Sequence, residues 1–110
     1  MARRATAFLR NEERLFVADL IVAETVYVLE SFYEIDRSRI SEAIRALLAM
    51  DSVRVIDAPL LLRTVALYES ERLDFADAYL VACAETTGVG KVASFDKAIS
   101  RIPTIVRIEP

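Results

Sequence analysis

A chain of 110 residues that is 55% hydrophobic, with 2 Gly and 3 Pro, is sized and composed for one folded domain with a real core, which excludes a disordered tail. Its 17 acidic and 14 basic residues leave a net charge of −3, so bulk electrostatics excludes a general polyanion binder; any nucleic-acid contact needs a local basic patch or a bound cation. The absence of His argues against an imidazole-rich metal site, and the lone Cys83 excludes an intrachain disulfide framework and reads as core packing.

Residues 2–13 read as a helix, with Ala5, Phe8 and Leu9 on one side and Arg3, Arg4, Arg10 and Arg14 outside. These arginines form either a solvated face or a contact for RNA phosphate or an acidic partner segment. Leu15-Phe16-Val17 is a short strand candidate. Asp19 is placed to N-cap the next helix, which runs to about Tyr33. Asp36 or Ser38 caps a third helix, whose Ile40, Ile44, Leu47 and Leu48 give one apolar face. Val53-Arg54-Val55-Ile56 reads as a strand. Pro59 suits the first turn of a helix carrying Leu61, Leu62, Val65 and Tyr68. Asp74 caps a further helix from Phe75 to about Thr87, which Gly88 stops. Residues 91–94 form a strand leading to Asp96, and Thr104-Ile105-Val106-Arg107-Ile108 closes as another. Helices alternating with strands predict an α/β fold with a mostly parallel sheet covered on both faces. Functional groups in such folds collect beyond the carboxyl ends of the strands. The longest apolar runs are broken by Glu24 or are too short to span a bilayer, and Met1-Ala2-Arg3-Arg4-Ala5 lacks a signal-peptide core, so the expectation is a soluble cytoplasmic protein.

Three lone acids stand in apolar stretches. Glu24 interrupts Leu20-Ile21-Val22-Ala23 and Thr25-Val26-Tyr27-Val28-Leu29, Asp77 opens Ala78-Tyr79-Leu80-Val81-Ala82, and Asp96 follows Val92-Ala93-Ser94-Phe95. Ionised carboxylates are rarely buried unless paired or metal-bound, so three together suggest a shared cation with oxygen ligands, Mg²⁺ or Mn²⁺. Each acid also has a structural explanation. Asp74 and Asp77 match a capping box, Asp96 can cap the turn at Lys97-Ala98-Ile99, and Glu24 can be a single exposed acid on a mostly buried helix. Asp74 is a fourth cluster acid or a cap, with the cap slightly favoured. The shared-site reading expects the Glu24, Asp77 and Asp96 carboxylates within about 10 Å of one another.

Four segments together resemble a PIN domain of the VapC toxin type. They are Val17-Ala18-Asp19-Leu20-Ile21-Val22-Ala23-Glu24, Leu73-Asp74-Phe75-Ala76-Asp77-Ala78-Tyr79-Leu80-Val81-Ala82, Val92-Ala93-Ser94-Phe95-Asp96, and the strand from Pro103 to Ile108. Each motif alone is weak, and their order and spacing together are fairly specific. The resemblance covers nearly all of residues 1–110 and implies a single three-layer α/β/α domain. Glu24, Asp77 and Asp96 would be its catalytic and metal-binding acids, with Ser94 orienting Asp96 or contacting the metal-bound water through its hydroxyl. It implies cleavage of RNA phosphodiester bonds with Mg²⁺ or Mn²⁺, homodimers, and restraint by a cognate VapB-type antitoxin. Family members usually open with a strand ending in a further Asp. Here Met1 falls in what reads as the following helix and no acid precedes Glu12, so the N-terminal strand is expected to be missing and activity impaired. The alternative is a non-catalytic PIN-like module that binds RNA or a partner protein. A receiver-like domain fits less well, because Lys91 begins a strand instead of ending one.

Overall fold

The computed structural model describes Arg4 and residues 14–110. The helix expected over residues 2–13 lies outside the described residues, apart from Arg4, which is helical and exposed. The chain divides into two compact units, Met1–Ala58 and Pro59–Pro110.

In the first unit the described elements are β1 (Leu15–Phe16), α1 (Asp19–Ser31), α2 (Arg37–Leu48) and β2 (Val53–Arg54). The two strands are parallel, with Leu15 opposite Val53 and Phe16 opposite Arg54. Parallel neighbours need a long crossover, which α1 and α2 supply. Backbone bonds from Leu15 N–H to Ser52 O (2.6 Å) and from Val17 N–H to Arg54 O (2.9 Å) extend the pairing. Of the two candidate caps, Asp36 is the one that caps α2, accepting from Arg39 N–H at 3.0 Å. The helix then buries Ile40, Ser41 and Ile44, and the Ser41 hydroxyl donates to Arg37 O at 2.8 Å. The cap of α1 differs from expectation. Ala18 holds the extended N-cap conformation (φ −74°, ψ 150°), and Asp19 is the first helical residue. An acid there meets the positive end of the helix dipole without acting as the cap.

The second unit contains all but the first residue of α3 (Ala58–Ser70), then α4 (Phe75–Thr87), β3 (Lys91–Ala93), a 3₁₀ turn (Lys97–Arg101) and β4 (Val106–Ile108). Strands β3 and β4 are parallel, with Lys91, Val92 and Ala93 opposite Val106, Arg107 and Ile108. Leu61, Val65, Leu67 and Tyr68 of α3 are buried, as are Phe75, Ala78, Val81, Ala82 and Ala84 of α4 and Val92, Ile99, Ile102 and Ile105 beyond it. Tyr68 and Phe75 meet edge to face, ring centroids 5.5 Å apart at 67°. Gly88 ends α4 in the left-handed region, φ 74°. Cys83 is half-buried, a correction to the core position expected for it.

The α/β class expected from the sequence is observed: four helices and short parallel strands among the described residues. The strands are shorter than expected, and they form two parallel pairs, one in each unit. β2 ends at Arg54, and Ile56, expected within it, is exposed. Among the described residues no helix is long and apolar enough to cross a membrane.

Candidate metal centre

Leu73 and Phe75 anchor the start of α4 in the core, and this places Asp74 and Asp77. Residues three apart on a helix share a face, so both carboxylates project to the same side. Val92 anchors β3, and the chain then turns through Ser94 and Phe95 to Asp96. These two element starts bring Asp74, Asp77 and Asp96 together, with one carboxylate oxygen from each lying within 4.8 Å of the others. Asp77 and Asp96 are half-buried, and Asp74 is exposed.

Asp96 is held from two directions. Its Oδ1 accepts from Ala98 N–H at 2.9 Å, and its own N–H donates to Ser94 Oγ at 3.0 Å. It therefore caps the 3₁₀ turn while belonging to the cluster. Asp74 occupies the N-cap position of α4 but makes no side-chain cap hydrogen bond. Its carboxylate joins the cluster, which corrects the slight preference for a cap.

Crowding separates the acids electrostatically. Asp77 is pushed up to about 6, first by burial, then by its hydrogen bond to Asp96 and by the charges of Asp96 and Asp74. Asp96 is held below the usual carboxylate range by the Ala98 N–H, by the hydrogen bond with Asp77, and by the nearby Arg101 and Arg107. In mildly acidic solution Asp77 is the carboxylic acid and Asp96 the carboxylate that accepts its proton.

Glu24 stands in the first unit on α1, exposed to solvent. The sequence reading took its apolar neighbours for buried ones. Only Val22 and Val26 of this helix are buried. At about 100° per residue Glu24 lies roughly opposite that stripe. Ile21, Thr25, Val28, Leu29 and Tyr33 share a shallow surface depression with it. Of the early arginines, Arg4 and Arg14 are exposed, while Arg3 and Arg10 lie outside the described residues.

The sequence model of the PIN domain family matches residues 1–105, a span that includes the first compact unit and most of the second. The chain belongs to the PIN domain family. A VapC ribonuclease of Aquifex aeolicus (strain VF5) is 28% identical over 90 residues, which cover 82% of this chain and 67% of the relative. No solved structure matches the chain. The match takes in the first three segments of the resemblance and the start of the fourth.

The aspartates of this PIN domain fit a hard divalent cation. Carboxylate oxygens are the donors that Mg²⁺ and Mn²⁺ prefer. Oxygens on opposite sides of an octahedral Mg²⁺ lie about 4.2 Å apart, given bonds of about 2.1 Å. The spread of up to 4.8 Å here comes close to that with small side-chain rotations.

Proposed function

We propose that this PIN domain is a metal-dependent endoribonuclease of the VapC type, acting in the cytoplasm as a homodimer and restrained by a VapB-type antitoxin. The convergence of Asp74, Asp77 and Asp96 within a PIN domain carries the reading. The similarity to a VapC ribonuclease supports RNA as the substrate class. We assign Asp77 and Asp96, with Asp74, to a Mg²⁺ or Mn²⁺ centre, and Glu24 as the acid contributed by α1. One PIN-like domain would then run through residues 1–110, a reading supported by the family match across both units.

A bound divalent cation would supply an acidified water and charge stabilisation at the scissile phosphate. The protein's own groups prepare for it. Asp96 commits Oδ1 to Ala98 N–H, which restrains the carboxylate within the cluster. Asp77, whose pKa burial and the neighbouring aspartates hold near 6, would release its proton to a bound cation, whose positive charge favours the carboxylate. Ser94 fixes the backbone on which Asp96 stands. Arg4 and Arg14, both exposed, are candidates to meet RNA phosphate.

The test is cleavage of transfer, ribosomal and messenger RNA by the purified chain with and without Mg²⁺ or Mn²⁺. The expected result is metal-dependent cleavage that Asp77→Asn, Asp96→Asn and Glu24→Gln each reduce by at least about a hundredfold, the scale set by loss of positioning. Equal cleavage in EDTA would refute the metal centre. RNA bound tightly but left intact would support the non-catalytic module instead.

A further inference from the structure

Arg107 is a cation in an unexpected place. It is the middle residue of β4, with apolar Val106 and Ile108 as its neighbours, and its side chain is only 16% exposed. Withdrawing a guanidinium from water is costly unless its donors are satisfied. Its ion pair is with Glu109 at 3.8 Å, itself 60% exposed and too distant and wet to offset that cost alone, while Asp96 interacts with it through charge. The donors go instead to a single loop. Nη1 donates to the Ser94 carbonyl at 2.8 Å and Nε donates to Ser100 Oγ at 3.0 Å.

These two acceptors flank Asp96. Ser94 lies two residues before it and Ser100 four residues after it, within the 3₁₀ turn. The same Ser94 accepts the Asp96 N–H through its hydroxyl. Strand pairing reinforces the arrangement, because Ser94 N–H donates to Ile108 O at 3.1 Å and Val92 lies opposite Arg107 in the ladder. The planar, forked guanidinium suits this task, since its donors diverge in fixed directions and keep their charge at any working pH.

We infer that Arg107 is a positioning residue that clamps both ends of the Ser94–Ser100 loop and so holds the Asp96 carboxylate in place against Asp77 and Asp74. This rests on the reading of the three aspartates as a metal centre. The clamp acts on the metal through Asp96, as outer groups that orient a ligand do, and losing such groups typically weakens metal affinity about 10- to 100-fold. Lysine could replace the charge but reach only one acceptor at a time, so charge and clamping are separable.

The experiment measures Mn²⁺ affinity by electron paramagnetic resonance on the 110-residue chain, together with amide hydrogen exchange of the metal-free protein by NMR. The variants are Arg107→Ala, Arg107→Lys, Ser100→Ala, Asp77→Asn and, as a loosened control, Glu85→Gln. The expected result is an Mn²⁺ Kd raised at least about tenfold by Arg107→Ala, with partial recovery in Arg107→Lys. Glu85→Gln, which opens an ion pair away from the loop, should leave Kd unchanged. Exchange at Asp96 and Ala98 N–H should quicken in Arg107→Ala while the α4 amides stay protected. If Arg107→Ala fails to fold, Ser100→Ala removes one arm at an exposed residue and should give a smaller change in the same two readouts. Wild-type Kd and wild-type exchange in the Arg107 and Ser100 variants would overturn the clamp alone. A wild-type chain that binds no Mn²⁺, or an Asp77→Asn chain that binds it equally well, would overturn the metal centre and the inference built on it.

Discussion

The proton between Asp77 and Asp96 gives the cluster a pH dependence whose sign can be worked out. Asp77 has a folded pKa of about 6 against an ordinary 3.8, so between these values the folded chain holds a proton that the unfolded chain has released. The stabilisation is fully present below the unfolded value and is lost as pH rises through about 6. Asp96 is shifted down, so its contribution is present above its unfolded value and is lost as pH falls through the lower folded one. From pH 5 to pH 8 the Asp77 effect governs, because Asp96 stays ionised throughout. Asp77→Asn keeps the hydrogen-bond donor and removes the charge. We therefore expect the metal-free variant to melt higher than wild type at pH 8, with the difference shrinking at pH 5. Thermal denaturation at the two pH values tests this, and a variant no more stable at pH 8 would rule out repulsion at Asp77. Millimolar Mg²⁺ should raise the wild-type Tm at pH 8, and Asp77→Asn should lose most of that rise. A metal-induced shift that survives the substitution would remove Asp77 from the ligand set.

Elements owe their ends to single residues, and these are also where the sequence was easiest and hardest to read. Gly88 stops α4 at φ 74° with open space where a Cβ would sit, so Gly88→Ala meets backbone strain and no clash. We expect it to cost about 1 kcal/mol, measurable by urea denaturation, while Gly88→Asn costs less because Asn tolerates the left-handed region. Across the same unit Arg63 of α3 holds Glu85 of α4 through two bonds of 2.8 and 2.9 Å, and the Thr104 hydroxyl also donates to Glu85. The guanidinium and hydroxyl keep Glu85 below the usual carboxylate range. Glu85→Gln should lower stability by up to about 1 kcal/mol, discounted because the Arg63 side chain is 45% exposed. The helix over Phe75–Thr87 was legible because Gly88 and the apolar run both mark it, whereas the α2 cap was open between Asp36 and Ser38 until the extended backbone at Asp36 decided it. Asp74 was harder, since i, i+3 acids are the same pattern whether they cap a helix or share a cation. Arg107 left no trace at all: its partners are a carbonyl and a hydroxyl brought near by strand pairing, and a β-strand with one Arg reads as an exposed edge. The burial around Glu24 was misread because apolar composition was taken for burial, whereas α1 buries only the Val22 and Val26 stripe.

At the scale of the whole molecule, the exposed face of α1 bears most directly on how the chain behaves in solution. Leu20 and Tyr27 are seven residues apart, about two helical turns, and lie on nearly the same line of the helix. They are 68% and 63% exposed, and Ile21 and Val28 beside them are also open to solvent. A contiguous apolar strip of this kind on a soluble protein marks an interaction surface or an aggregation liability. A second copy of the chain is the occupant that the proposed homodimer requires, and two such strips would meet in a self-complementary contact. Association should therefore be concentration-dependent. Sedimentation velocity over a concentration series measures this directly. Leu20→Glu combined with Tyr27→Glu should shift the chain towards monomer and leave its helix content unchanged, because neither residue belongs to the buried Val22 and Val26 stripe. A chain that stays monomeric at every concentration, or a double variant that associates as wild type does, would separate the α1 face from self-association.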